Sequence, residues 1–284
     1  MKLSDYHTHN RRCGHALGEI EDYIKAAIEK NLNEIGISDH FPLGAVFNDP
    51  QMADLFKRAS MEVEEFPRYI KEIKELKEKY KDKISIRIST EVTFYTPGKA
   101  LSRQKEVLKP FIDDMDYIIG AIHDIKWHDS PIITIHPDAD ILREYSEDKL
   151  ILEYVNKLIK LVDTNYFDII AHFDFYRILF RPNNPNYSHN MWQKLLDLLD
   201  KIKNTGMAIE INTSGILKEL GSQHPDDEIL KEIIQREIPL VLSSDAHRPD
   251  FVGYMFEETI EKIRKLGLSY LCRYEKREQQ LVKI

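Results

Sequence analysis

The chain has 284 residues, 42% of them hydrophobic, and a formal net charge of −8 with a pI near 5.8, enough for one large core or two ordinary ones. The acidic balance argues against a duplex nucleic acid as partner, which needs a basic stripe to release counterions, and suits a small anion held by local positive charge. Two cysteines, Cys13 and Cys272, are too few for a disulfide framework; with no apolar leader in MKLSDYHTH and no run of eighteen uncharged apolar residues, the sequence reads as cytoplasmic with no membrane partner.

Seven short apolar runs recur along the chain, with longer amphipathic segments between them. LSDY (3–6) comes first and leads to the helical pattern EIEDYIKAAIEKN. EIGIS (34–38) precedes YIKEIKELKEKY, whose continuation KEIKELKEKYKDK (71–83) alternates in charge and reads as the solvated face of a packed helix. ISIRIS (84–89) and YIIGAI (117–122) follow, then the helix KLILEYVNKLIKLV. FDIIA (167–171) precedes SHNMWQKLLDLLDKIK, MAIEI (207–211) precedes DDEILKEIIQRE, and PLVLS (239–243) precedes FEETIEKIRKLG. Ser188 suits an N-cap, and Gly206 and Gly267 suit C-terminal caps. Strand and helix alternate about seven times, which predicts parallel strands with crossover helices. The expected fold is α/β, one closed or nearly closed barrel over residues 1–284 as a single domain; an open doubly wound sheet is the alternative that periodicity leaves standing.

Six of the seven runs end in imidazoles or carboxylates. LSDY leads into His7-Thr8-His9, EIGIS into Asp39-His40, ISIRIS into Glu91, YIIGAI into His123, FDIIA into His172, and PLVLS into Asp245-Ala246-His247. MAIEI ends in Asn212-Thr213-Ser214 and offers hydrogen bonds instead. Barrel enzymes carry their chemistry on the C-terminal ends of several strands, so these side chains should meet at one mouth. Residues two apart in an extended chain share a face, which makes His7 with His9, and Asp245 with His247, ready chelates. His15 joins the set. Nine groups, His7, His9, His15, His40, Glu91, His123, His172, Asp245 and His247, exceed what one four-coordinate ion takes, and two or three clustered divalent ions of zinc, manganese or iron fit better.

The HxH near the N-terminus, His15, the SDH at 38–40, Glu91, the separated His123 and His172, and the SDAH at 244–247 resemble the PHP (polymerase and histidinol phosphatase) family. The resemblance spans nearly the whole chain. It implies a distorted (βα)7 barrel with a three-metal site: His7, His9, Glu91 and Asp245 on one ion, Glu91 bridging to a second held by His123 and His172, and His15, His40 and His247 on the third. Length and the insertions after the second and fourth strands most resemble the histidinol-phosphate phosphatases. That implies hydrolysis of L-histidinol phosphate by a metal-bridging hydroxide, with Glu91, Asp245 and His247 as the catalytic groups. Phosphomonoesters hydrolyse very slowly unaided, and clustered cations offset the charge on the phosphoryl oxygens. A phosphoesterase acting on another small ester, a nucleotide or an oligonucleotide is the alternative within the family. An amidohydrolase-type barrel also opens with HxH and closes with Asp, but leaves His15, His40 and His247 without a role.

Arg177 is the first candidate to hold a phosphate, Arg248 the second, and Arg181 also follows a candidate ligand closely; arginine offers phosphate a bidentate fork. The segments 41–56 and 126–148 are candidate covers for the mouth. Asp5, Asp39, Asp124 and Asp174 stand beside candidate ligands and suit either an orienting role or plain solvation, although Asp39 in a strand would point away from His40. Cys13, between Arg11, Arg12 and Gly14, reads as an exposed free thiol. His128, His136, His189 and His224 read as surface-loop residues, Phe173 and Phe175 as packing residues, and Tyr176 as either core or pocket.

Overall fold

The computed structural model describes residues 3–46, 56–95, 99–125, 133–135, 146–181 and 183–284. Its first half runs β1 (Ser4–Asp5), α1 (Ile20–Glu29), β2 (Glu34–Ile37), α2 (Phe66–Tyr80), β3 (Ser85–Ile88), β4 (Glu91–Thr93), α3 (Lys99–Leu108) and β5 (Ile119–Ala121). A short antiparallel pair follows, β6 (Asp124–Ile125) with β7 (Ile133–Thr134). Then come α4 (Glu147–Asp163), β8 (Ile169–Ile170), α5 (His189–Thr205), β9 (Ala208–Asn212), the single turn α6 (Ser214–Leu217), α7 (Asp227–Gln235), β10 (Leu240–Ser243) and α8 (Phe256–Lys265). An antiparallel hairpin of β11 (Tyr270–Glu275) and β12 (Glu278–Lys283) completes the order. Ser188 caps α5, its Oγ accepting from Met191 N (3.3 Å), and Gly206 ends that helix in the left-handed region.

Two parallel sheets, β1-β2-β3 and β10-β9-β8-β5-β4, join into a ring. On one side β3 and β4 share one strand position, offset at Ser89 and Thr90: Glu91 N donates to Ser38 O (2.9 Å), and Ile119 N to Thr90 O (3.1 Å). On the other, Tyr6 N donates to Leu242 O (3.2 Å) and His9 N to Ala246 O (2.9 Å), which seats β1 against β10. The neighbours β1, β2, β3 with β4, β5, β8, β9 and β10 therefore close a distorted (βα)7 barrel rather than an open sheet.

Tyr6, Tyr117, Ile119, Ala121, Ile169, Ala171, Ala208 and Val241 fill its interior. The two-residue spacing along β5, Tyr117 to Ile119 to Ala121, carries the inward face on to His123. Gly36 of β2 admits no side chain here, since a Cβ would lie 1.7 Å from Tyr117 Oη and 3.0 Å from Tyr6 O. Outward-facing Ile35, Ile37, Ile88, Ile209, Leu240 and Leu242 belong to the larger core shared with the helices. The helix carrying the 71–83 charge run buries Tyr69, Ile70, Ile73, Leu76 and Tyr80 and turns its lysines outward, as its periodicity predicts.

The hairpin closes the N-terminal end of the barrel. Cys272 and Tyr274 enter the inner cluster, and Arg277 donates from its backbone to Asp116 O (2.8 Å) and from its guanidinium to Asp168, residues that precede β5 and β8. Neither this hairpin nor α3 is anticipated by the sequence. The hairpin turns on Lys276 and Arg277, both at positive φ (49° and 65°), without the Asn-Gly pair that usually marks such a turn. In α3 the apolar stripe is thin: Leu108 is buried, while Leu101 and Val107 are only partly covered.

Candidate metal centre

At the opposite end the strands deliver their polar tips. Buried Glu91 stands at the centre: Oε1 lies 3.1 Å from His172 Nε2 and 3.4 Å from His123 Nε2, while Oε2 lies 2.7 Å from His40 Nδ1 and 3.5 Å from His7 Nε2. His9 Nε2 is 3.0 Å from His7 Nε2 and 3.0 Å from Asp245 Oδ1. His15 and His247 close the outer side with Nε2 atoms 3.1 Å apart, and His247 stacks on His9 at 4.1 Å between ring centroids. All nine side chains singled out at the strand ends and at His15 are thus brought together.

The donor set fits divalent cations. Four tight groups among the described residues each keep their ligand atoms within 4.8 Å of one another: His7, His9 and Glu91; Glu91, His123 and His172; His9, His40 and His247; and His9, Cys13 and Asp39. The first two match the groupings the family resemblance implies, without Asp245 in the first. In the third, His9 takes the place expected for His15, whose ring centroid stands 4.9 Å from that of His247 and 5.1 Å from that of His40. Nε2 atoms face each other in the pairs His7/His9, His123/His172 and His15/His247, at 3.0, 3.2 and 3.1 Å. In the His7/His9 pair each Nδ1 faces a carboxylate, which holds the proton there and leaves two Nε2 lone pairs facing each other, an arrangement that a shared cation resolves. Glu91 Oε2 is close to His40 Nδ1 yet lacks an aligned hydrogen-bond donor, which leaves a buried carboxylate oxygen open.

The cluster is also electrostatically tuned. Burial works against charge on Glu91, but His40, His123 and His7 hold its carboxyl well below the ordinary range. Asp245 is held low in the same way, against burial, by Lys218 and His7. His9 is pushed down to about 3 by burial and by His40, and His172 to about 4, chiefly by burial. Despite burial, Glu210 and Glu91 draw His7 upward, and Glu91 draws His40 upward. A bound cation needs neutral imidazoles, so its binding would displace protons here. His172 and Asp245 sit at positive φ, 24° and 52°, a strained backbone that aims both side chains into the cluster.

Groups behind the cluster fix its orientation. His7 Nδ1 meets Glu210 Oε1 at 2.7 Å, His9 Nδ1 meets Asp39 Oδ1 at 3.3 Å, and His123 Nδ1 meets Thr93 Oγ1 at 3.0 Å. Asp39 Oδ1 also accepts from the backbone N–H of its neighbour His40 (2.9 Å), so its side chain folds back on that residue's backbone while it supports the His9 ring. Asp5 accepts from Ser244 N (2.9 Å) and Gly253 N (2.9 Å) and so braces the turn before Asp245. Asp124 pairs with buried Lys157 at 2.6 Å. Asn212, Ser214 and Lys218 all donate to Asp245 Oδ2, at 3.4, 3.0 and 3.1 Å, in line with a hydrogen-bonding role for the end of the seventh run. Glu210 and Lys218 were missed. A lone glutamate inside the buried, otherwise apolar strand MAIEI was the available signal for the first; nothing local marks the second.

Several side chains stand elsewhere than the sequence suggested. Arg177 is fully buried, its guanidinium bound to Asn184 Oδ1 (3.0 Å), Asp174 Oδ2 (3.3 Å), Gln223 O (3.0 Å), Leu220 O (3.3 Å) and Ser222 Oγ (2.8 Å). Every donor of its fork is engaged within the protein, so it is not a free phosphate clamp. Arg248 is exposed, pairs with Asp250 at 3.0 Å and lies over the Phe251 ring; Arg181 is exposed too. His224 is a buried residue rather than a surface one, and its Nδ1 contacts Asp174 Oδ1. Asp174 is thereby a structural hub, accepting also from Asp226 N (2.7 Å). Cys13 is fully buried, its Sγ against Asn10 O at 3.2 Å and grouped with the ligand atoms of His9 and Asp39; it and Cys272 are free thiols. His189 is exposed as expected. Phe173 is buried, Tyr176 is core with its hydroxyl on Tyr187 (2.9 Å), and Phe175 both packs and borders the cluster, 4.6 Å from the His172 ring. His128, His136 and most of the candidate covers 41–56 and 126–148 fall outside the described residues.

An α/β barrel whose strand ends converge on a caged set of imidazoles and carboxylates defines a metal-dependent hydrolase scaffold. The chain belongs to the PHP domain family, whose model matches residues 5–214. It is 30% identical over 269 residues to the "Probable histidinol-phosphatase" of Deinococcus radiodurans, covering 93% of this chain and 94% of that one. It is 28% identical over 276 residues to the "Histidinol-phosphatase" of Bacillus subtilis, covering 92% and 100%. The crystal structure of histidinol phosphate phosphatase from Lactococcus lactis, complexed with zinc, L-histidinol and phosphate, shares the fold with a TM-score of 0.73 at 20% identity, covering 98% and 99%. No helix among the described residues is long and apolar enough to cross a membrane.

Proposed function

We propose that the chain is a metal-dependent phosphomonoesterase that hydrolyses L-histidinol phosphate to L-histidinol and phosphate. The observation that carries this reading is the closed set of nine imidazole and carboxylate side chains around Glu91, with carboxylate and hydroxyl partners fixing several of the rings. Near-full-length likeness to relatives named histidinol-phosphatase supports the substrate. The nine residues would hold three divalent cations, of zinc, manganese or iron, with Glu91 shared between two of them. When bound, such cations supply Lewis acidity that offsets charge on a phosphoryl group and lowers the pKa of water.

The protein's own part is positional. Glu210, Asp39 and Thr93 each hold one imidazole nitrogen so that the other faces the cluster. Asp245 presents Oδ1 to the cluster while Oδ2 is held from behind. Phe175 lies against the rings of His123 and His172, of which His172 is buried. Arg248 is exposed and is the remaining one of the two favoured phosphate candidates.

The test is phosphate release from a panel of phosphomonoesters, with and without chelator, using protein reloaded with each of the three metals. L-histidinol phosphate is expected to be turned over best and only by metal-loaded protein. A sugar phosphate or nucleotide preferred by a wide margin would defeat the substrate assignment, and turnover indifferent to chelation would defeat the metal reading.

A further inference from the structure

We propose that Lys218, the residue following α6, is a cation that contacts the substrate's phosphoryl group, an inference that rests on the phosphatase reading above. A dianion entering beside Glu91 and Asp245 needs positive charge from the protein as well as from any bound cation. The cations near the mouth differ in what they have left to give. Arg177 is fully buried with its fork engaged, and Lys157 is buried on Asp124. Arg248 folds back on Asp250 and the face of Phe251.

Lys218 is placed differently. Its Nζ lies 3.1 Å from Asp245 Oδ2 and 3.0 Å from Ser214 Oγ, and 5.4 Å from the centroid of the Phe175 ring. The side chain is 31% exposed whereas Asp245 is 4% exposed, so the ammonium stands where the cluster meets solvent. Asp245 turns its other oxygen, Oδ1, to His9 Nε2 at 3.0 Å, and Phe175 touches the rings of His123 and His172. Nζ thus touches one candidate metal ligand, Asp245, through the oxygen turned away from His9, and the Phe175 ring lies between it and the rings of His123 and His172. An ammonium has three donors; Ser214 and Asp245 account for two, and the third is open to an incoming oxygen. The four-carbon stem lets Nζ follow that oxygen while Asn212 and Ser214 continue to hold Asp245 Oδ2.

The experiment uses the metal-loaded full chain as wild type, Lys218→Met and Lys218→Arg. It measures metal content by mass spectrometry, inorganic phosphate binding by calorimetry, and KM and kcat for the phosphomonoester that the wild type turns over best. Lys218→Met is expected to keep the wild-type metal content, to weaken phosphate binding by about tenfold or more, and to raise KM, as loss of a charge-assisted hydrogen bond would. Lys218→Arg should recover most of the phosphate affinity. Wild-type phosphate affinity in Lys218→Met overturns the proposal. So does reduced metal content with unchanged phosphate affinity per loaded site, which would make Lys218 a positioning residue for Asp245. A wild type that binds no phosphate at all would instead overturn the phosphatase reading, and the assignment with it.

Discussion

Glu210→Gln probes a requirement that only a carboxylate meets. Both Glu210 oxygens accept: Oε1 faces His7 Nδ1 at 2.7 Å, and Oε2 takes the backbone N–H of His172 (2.7 Å) and Asn212 Nδ2 (2.9 Å). The residue is fully buried, so water cannot substitute. Glutamine offers one acceptor and one donor. With its oxygen toward His172 N, it turns an NH2 on His7 Nδ1, which must then accept and carry its own proton on Nε2, the atom that faces Glu91 and His9. Flipped, it sets a donor against the His172 and Asn212 N–H groups and orphans them, at about 1–3 kcal/mol. Loss of such a partner behind a metal-binding imidazole costs about 10–100-fold in metal affinity, or about 1.4–2.7 kcal/mol. The assay is competition for zinc with a chromophoric chelator, together with thermal melting in excess chelator. Zinc affinity within about threefold of wild type and an unchanged melting temperature would refute this role, since the expected loss is at least tenfold.

Four further outcomes follow from the same geometry. His9→Ala and Asp245→Ala should each abolish turnover with the far-ultraviolet circular dichroism kept; activity near wild type in either would remove that residue from the ligand set. Arg177→Met should cost about 3–5 kcal/mol by leaving buried Asp174 without its cation, and a raised KM with unchanged denaturant midpoint would return Arg177 to substrate binding. Burial opposes charge on Asp174, yet Arg177 and His224 hold its carboxyl below the ordinary aspartate value. Its contribution is therefore complete above that value and lost as pH falls through the depressed one, so Asp174→Asn should flatten the acid limb of a melting curve below about pH 4; an unaltered limb would contradict this. Gly36→Ala forces a Cβ to 1.7 Å from Tyr117 Oη and should lower stability by about 1–3 kcal/mol through overpacking, measurable by urea titration, with Tyr117→Phe relieving part of the loss.

The candidate ligands were legible because each is covalently tied to a strand end. An apolar run followed at once by His or Asp places that side chain on the rim wherever the strand sits, as with His123 after YIIGAI and Asp245 after PLVLS. The alternation of run and amphipathic segment likewise carried the barrel, since parallel neighbours require crossovers. Closure was not in the periodicity. It depends on hydrogen bonds between β1 and β10, more than two hundred residues apart.

Burial of single polar residues also escaped local reading. His224 looks like a loop residue among polar neighbours and Arg177 like a free cation in an aromatic run, and both are interior because Asp174, Asn184 and the 220–223 turn meet around them from separate segments. Cys13 looks exposed after two arginines, yet it is buried with its Sγ beside His9 and Asp39. Lys218 has no local mark at all; Asp245, which it touches, arrives 27 residues later.

By itself, the sequence determined which residue types stand at which strand ends, and with them the class of chemistry, because those properties depend on neighbours along the chain. The tertiary structure alone decided which rings face one another, which carboxylate backs which imidazole, and which cation reaches Asp245. Those depend on distances across the barrel, and such distances exist only after the ring has closed and the interior has packed.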